Sequence, residues 1–254
     1  MKQSSTDQPN YGNWVSTRLI FVPGVMALIF AGLAIPFPFL AVIAALFAVA
    51  SLYFAYARYL FSPQGGNLQD RVRGLVLSHL DWNGAGQILD IGCGSGSLTI
   101  ALAKKYKGAR IMGIDYWGQK WEYSNKVCEK NAEIERVAER VTFQKASASA
   151  LPFDDDCMDV AVSNLVFHEV GGVKDKKELI REALRVVKKG GKFVFQDLFL
   201  WKRLYGESNE LTGAIRSWGI KEVELINTSK MPFIPRALKL PFMLGTIGVI
   251  VGEK

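Results

Sequence analysis

Two histidines and three cysteines are all the imidazole and thiolate ligands that this chain of 254 residues offers a transition metal. The cysteines, Cys93, Cys128 and Cys157, are widely spaced, and no metal-ligand spacing joins them to His79 or His168, so a structural zinc site is not expected. Reduced thiols suit a cytoplasmic domain. Internal repeats are lacking. So are a nucleic-acid-binding module and a basic stripe with interleaved aromatics, which removes nucleic acid from the expected partners despite a formal net charge of +7. The positive charge is spread, as at Lys104-Lys105 and Lys188-Lys189, and reads as solvated helix ends. A weaker alternative is attraction to an anionic leaflet.

The most telling shortage is of charge between Leu19 and Leu60, where only Arg58 is ionised. No polar face interrupts this run, as it would in a globular amphipathic helix. It is longer than the apolar core of a signal peptide. It is too long for one spanning helix and suits two of about 20 residues. Pro36-Phe37-Pro38 is the natural break. The expectation is a transmembrane hairpin, Arg18 to Ile35 and Pro38 to Phe61. Its loop is uncharged, while Lys2 and Arg18 flank one end and Arg58, Arg71 and Arg73 the other. Both ends are therefore expected in the cytoplasm. The organisation expected is an N-terminal cytoplasmic segment over 1–17, the hairpin over 18–61 and a catalytic domain over 62–254. Tyr11 and Trp14 are read either as interfacial anchors or as part of a segment folding over the site. The linker Ser62–Asn67 is turn-rich, and Leu68 to Leu80 has helical spacing.

What the chain does have is ILDIGCGSGSL, Ile88 to Leu98. It reads as a buried strand ending near Asp90, a turn with Gly92, Gly94 and Gly96 at alternate positions, and the start of a helix near Ser97. A β-carbon at these glycines is expected to obstruct a ligand. The turn suits a nucleotide-type pocket at the carboxyl end of a parallel strand. It departs from the dinucleotide pattern G-x-G-x-x-G, because position 97 is Ser and the third glycine comes one residue early. Asp90 would also repel a pyrophosphate. With Asp115 it makes two acidic groups, which favours a partly cationic ligand without phosphates, such as S-adenosylmethionine.

Three more segments follow in order: IMGIDYW (Ile111–Trp117), ASALPFDDDCMDVAVSNLVFHEV (148–170) and EALRVVKKGGKFVFQD (Glu182–Asp197). The last reads as a helix, a Gly190-Gly191 turn and a strand. From Leu68 to Lys254 the series resembles the class I S-adenosylmethionine-dependent methyltransferases, and within them the branch containing the ubiquinone and menaquinone biosynthesis enzymes. The resemblance implies an α/β, Rossmann-like seven-stranded sheet. Strands are expected near Gln87–Ile91, Arg110–Ile114, Val141–Gln144, Val160–Asn164 and Lys192–Gln196, with a final antiparallel pair at Glu222–Asn227 and Thr246–Gly252.

The resemblance also implies site residues. Asp90 would orient the turn and reach the methionine end of the cofactor. Gly92, Cys93 and Gly94 would offer backbone contacts beside Gly96, although Cys93 is most simply a small pocket residue. Asp115 would accept from both ribose hydroxyls. Tyr116 or Trp117 would stack on adenine or serve as core. Ser147 and Ala148 stand where many relatives have Asp-Ala, so adenine recognition would lean on backbone groups. Asn164 would face the methionine moiety. His168 is a candidate base or a structural histidine, and Asp197 a second base candidate.

The apolar segment Met231 to Leu244 is either core beneath the sheet edge or a pocket lip on the membrane. The function expected is methyl transfer to a small or lipophilic acceptor. A non-catalytic cofactor-binding scaffold and a methyltransferase of a membrane protein are the alternatives.

Overall fold

A computed structural model describes residues 8–118 and 124–254; Lys2 and the start of the N-terminal segment lie outside these. The chain folds as two compact units. One is Asn13–Val72; the other joins the segment ending at Gly12 to Arg73–Lys254.

The first unit is a helical hairpin, α1 (Arg18–Leu33) and α2 (Leu40–Phe61). The break falls at the two prolines, as proline chemistry requires. The turn nevertheless satisfies its own backbone, for example Phe37 N–H to Leu33 O at 3.1 Å and Leu40 N–H to Phe37 O at 3.0 Å. Ser51 Oγ donates to Ile20 O at 2.8 Å, and the Phe30 and Phe47 rings stack at 5.7 Å. Outward faces carry Phe21, Leu28, Val42, Leu46 and Leu52, all exposed. Among the described residues α2 is the helix long and apolar enough to cross a membrane; α1, of 16 residues, is shorter.

The second unit is a seven-stranded sheet: β1 (Ala85–Ile91), β2 (Gly108–Asp115), β3 (Val141–Lys145), β4 (Met158–Asn164), β5 (Val187–Asp197), β6 (Glu222–Asn227) and β7 (Gly248–Glu253). The order is β3-β2-β1-β4-β5-β7-β6, with β7 antiparallel to both neighbours and the remaining pairings parallel. Alternation sends Ile88, Val160, Val162 and Val194 to one apolar layer and Leu89, Ala161, Phe193 and Phe195 to the other. Both faces are therefore covered, as a parallel sheet demands. Helices α3 (Leu68–His79), α4 (Ser97–Lys105), α5 (Asn125–Ile134), α6 (Lys177–Arg185), α7 (Lys202–Tyr205) and α8 (Ser208–Ser217) fill the connections.

One local expectation is corrected. The Gly190-Gly191 pair does not separate a helix from a strand. α6 ends at Arg185, and β5 already runs from Val187 through the pair. Its register against β4 jumps from Met158↔Val187 to Val160↔Lys192, a bulge. A Cβ on Gly191 would lie 2.9 Å from the Asp159 carbonyl, which explains glycine there.

Candidate active site

The chain runs outward from β1 to β3 and returns to the other side of β1 as β4. This reversal leaves a crevice at the carboxyl ends of β1 and β4, where open α/β sheets bind ligands. Asp90, Asp115, Asn164 and Asp197 all lie at strand ends on that edge.

The glycine turn is closed by its own backbone. Gly92 and Cys93 N–H donate to Ile114 O at 2.8 and 2.9 Å. Gly92, Gly94 and Gly96 have φ of 74°, 57° and 81°, a region costly for other residues. The space argument differs from the expectation. A Cβ on Gly92 would sit 2.2 Å from the Val166 side chain, and one on Gly96 would sit 3.1 Å from the Phe143 ring. At these two positions the neighbour that excludes a side chain is protein.

Asp115 is the hub of the turn. Its Oδ2 accepts from Gly94 N–H at 2.9 Å and its Oδ1 from Trp117 N–H at 2.7 Å. Trp117, at φ 44°, returns its indole N–H to Gly94 O at 2.8 Å. Cys128 Sγ donates to the same carbonyl at 3.1 Å. Tyr116 instead is exposed, with Lys145 Nζ 5.2 Å from its ring centre.

Asp90 is buried, and Thr99 Oγ1 of α4 donates to its Oδ2 at 2.6 Å. Burial pushes its pKa up to about 7, with the Asp115 charge adding to the rise, although the Thr99 hydrogen bond and Arg73 oppose it. Burial likewise raises the Cys93 thiol, with Cys128 and both acids adding. Ser147 Oγ lies 2.8 Å from Ser149 Oγ, and Ala148 packs against the apolar layer. Asn164 Oδ1 accepts from Gln196 Nε2 at 2.6 Å. The next residue, Leu165, holds φ 58° while its N–H donates to Gln196 O at 2.7 Å.

His168 and Asp197 come together from β4's following loop and the end of β5. His168 Nδ1 lies 2.7 Å from Asp197 Oδ1, and Nε2 lies 3.5 Å from Glu169 Oε1. Burial alone would lower the imidazole pKa. The Asp197 and Glu169 charges and hydrogen bonds outweigh burial and push it up to about 10. His168 is thus an imidazolium at neutral pH. The buried Tyr205 phenol beside this pair is held protonated by burial and by the Asp197 charge.

The N-terminal segment forms a strap whose anchor, Asn131, the sequence reading did not single out. Asn10 and Asn131 exchange two hydrogen bonds, Asn10 N–H to Oδ1 and Nδ2–H to Asn10 O, each 2.8 Å. Asn131 Nδ2 also donates to Ser95 O at 3.0 Å, and Ser95 Oγ donates to Tyr11 O at 2.9 Å. Tyr11 packs against an apolar layer of the second unit, with its hydroxyl donating to Glu135 at 3.0 Å. No local signal marks Asn131, which is 121 residues from Asn10. Gly113 did carry a signal, an isolated glycine in a strand. A Cβ there would lie 2.8 Å from Thr99 Oγ1 and 3.0 Å from Cys93. A cavity lined by His79, Lys192, Arg216 and Lys221 opens beside the start of β6 and the end of β7 and contains none of these site residues.

Residues 89–195 match the family described as "Methyltransferase domain". A ubiquinone/menaquinone biosynthesis C-methyltransferase of Geobacter sp. (strain M21) is 30% identical over 125 residues, covering 49% of this chain and 50% of that protein. An arsenite methyltransferase of Aquipseudomonas alcaligenes is 31% identical over 130 residues, covering 48% and 35%. The chain spans about half or less of the length of the curated relatives it matches. Among solved structures, geranyl diphosphate C-methyltransferase of Streptomyces coelicolor A3(2), in complex with Mg2+, geranyl diphosphate and S-adenosyl-L-homocysteine, aligns with a TM-score of 0.56 at 15% identity, over 75% of this chain and 80% of that one. That likeness is one of fold. Residues 89–195 are thus similar to methyltransferase domains, for which S-adenosylmethionine is the cofactor.

Proposed function

We propose that the chain is an integral-membrane methyltransferase. Its hairpin inserts in the bilayer, its catalytic unit faces the cytoplasm, and it methylates a small or lipophilic acceptor. The observation that carries the catalytic reading is the pair Asp90 and Asp115, at adjacent strand ends and tied through the glycine turn. The donor set fits the cofactor. A buried carboxylate raised to about 7 gains most from a cationic neighbour, and two acids disfavour a pyrophosphate. A carboxylate offers about four acceptor sites, so Asp115 retains capacity for a vicinal diol beyond its two backbone donors.

When bound, the cofactor supplies an already activated methyl group. The protein's work is alignment and exclusion of water. Asp115 holds the ribose end and Gly94 and Trp117 fix that carboxylate. Asn164 bounds the methionine end, and Ser147 and Ala148 border the adenine. His168 carries a proton at neutral pH, so it acts by holding an acceptor that is already anionic, such as a phenolate, thiolate or enolate, and Asp197 fixes its ring.

The exposed leucine, valine and phenylalanine faces of the hairpin support insertion. α2 reaches about 33 Å and α1 about 24 Å, against a hydrocarbon core of about 30 Å. The apolar turn with Ile35, Phe37 and Phe39 extends the shorter arm. A hairpin leaves both ends on one side, and the flanking cations assign that side to the cytoplasm.

Calorimetric titration of the detergent-solubilised chain with S-adenosylmethionine tests the cofactor site. Asp115→Asn is expected to weaken binding at least about tenfold, the loss of about 1.5 to 3 kcal/mol for hydrogen bonds to a charged group. Labelled methyl should then enter a lipid extract. Label found only in water-soluble acceptors counts against the lipophilic substrate.

A further inference from the structure

We propose that the loop between β6 and β7 is a second bilayer contact, a cationic, apolar-tipped finger that rests on an anionic lipid surface beside the catalytic crevice. The inference rests on the membrane reading for its setting and on separate residues for its evidence.

Part of the segment is core. Ile234, Leu238 and Leu244 are buried, and Met231 and Phe233 pack on the apolar layer. Between these anchors the chain turns outward. Leu240 is 38% and Phe242 52% exposed, with Pro241 exposed between them. Both readings from sequence therefore describe different residues of one segment.

The tip is rigid. Met243 and Gly245 N–H both donate to Leu240 O at 3.0 Å, and Leu244 N–H donates to Leu238 O at 3.0 Å. Thr246 Oγ1 donates to Pro241 O at 2.6 Å. A Cβ on Gly245 would lie 2.3 Å from Lys239 O, so only glycine closes this turn. Apolar side chains held outward by such a frame cannot collapse onto their own domain.

Charge selects the occupant. From Leu225 to Gly252 the chain has Lys230, Arg236 and Lys239 and no carboxylate. All three are exposed, and no described acid pairs with them. Cations around an exposed Leu-Pro-Phe tip match the interface of an anionic leaflet, with the apolar groups below the headgroups and the charges among them. Position on the fold gives the contact a use. Asp197 pairs with Gly248 in the β5–β7 register, and Leu200 N–H donates to Thr246 O at 2.9 Å. The finger thus rises from the same sheet edge as His168 and Asp197. Phe61, the last residue of α2, precedes Arg73 by twelve positions, so a bilayer that holds the hairpin keeps this unit within reach.

The test uses the full chain with Cys157→Ser, since the other two cysteines are buried. An environment-sensitive dye is attached at F242C and, as control, at K221C, an exposed site at the start of β6. The chain is placed in nanodiscs of phosphatidylglycerol and phosphatidylcholine. Expected are blue-shifted emission at F242C, quenching by brominated phospholipid, and loss of both with R236E/K239E, while K221C stays water-like. Each cation near an anionic surface contributes about fivefold to partitioning, so phosphatidylcholine alone should give a weaker signal.

Water-like emission at F242C in a chain that resists carbonate extraction overturns the finger and leaves the anchor standing. A blue shift without bromolipid quenching means a protein surface covers the tip, a second copy included, and also overturns it. If carbonate releases the chain, the anchor reading fails. F242C against added anionic vesicles then decides the finger alone.

Discussion

Asp90 gives the sharpest test of the site, because its burial couples folding to pH in a definite direction. An ordinary aspartate ionises at 3.8, and burial pushes Asp90 up to about 7. Between these values the unfolded chain has shed a proton that the folded chain keeps. Stability from this group is therefore full below 3.8, drains as pH rises, and is lost above about 7. A gap of about three pH units at 1.36 kcal/mol each amounts to about 4 kcal/mol. Asp90→Asn keeps a neutral acceptor for Thr99 Oγ1 and removes the titration. The variant should lack the Asp90 loss over this window and exceed the parent by up to about 4 kcal/mol near pH 8, about 10 °C in Tm for a unit of this size. The assay is thermal unfolding in detergent from pH 4 to 8, followed by near-UV circular dichroism. His168, held up to about 10, contributes fully below 6.5 and loses that contribution between 6.5 and about 10, but it does so equally in parent and variant and cancels from the comparison. Parent and variant curves that run parallel between pH 4 and 7 would refute the buried, charge-starved site. The same variant should bind S-adenosylmethionine more weakly, because the carboxylate that favours a cation is gone.

His168 as an imidazolium predicts a pH–rate profile with no ascending limb near 6.5. Asp197→Asn should restore one by lowering the His168 pKa, which histidine NMR reads directly; an ascending limb already present in the parent contradicts the ion pair. Gly92→Ala should cost about 2–4 kcal/mol from positive φ and collision with Val166. Val166→Ala should recover part of that in thermal unfolding, and no recovery would place the cost in φ alone. Asn131→Ala removes three hydrogen bonds that tie Asn10 to the Ser95 turn. It should loosen the N-terminal strap to protease and weaken cofactor binding about tenfold, one to two lost buried hydrogen bonds; tight binding with a released strap would separate the two roles.

Much of this was legible in one dimension. Strand ends at Asp90, Asp115, Asn164 and Asp197 follow from short apolar runs punctuated by acids, glycines and loops. Period-two burial and glycine punctuation are local properties that survive without knowledge of neighbours. The hairpin was legible for the same reason, since a run with Arg58 as its single charge, broken at Pro36 and Pro38, states its own helices within two residues of the observed ends. The bulge at Gly190-Gly191 was not, because a strand and a turn share that composition and only pairing with β4 distinguishes them.

Electrostatics and long-range contact belong to the tertiary structure. His168 has the composition of a base, and becomes an imidazolium only because β5 delivers Asp197 to within 2.7 Å. The glycines of the turn read as room for a ligand, yet Gly92 and Gly96 make room for Val166 and Phe143, which arrive from β4's loop and β3. The 231–244 segment divides into core and tip only once Ile234 and Leu238 find the sheet. A sequence determines which residues prefer water, which turn and which pair at short range. The charge state of a buried side chain, and the neighbour a glycine accommodates, depend on atoms many residues away, and only the folded chain brings those together.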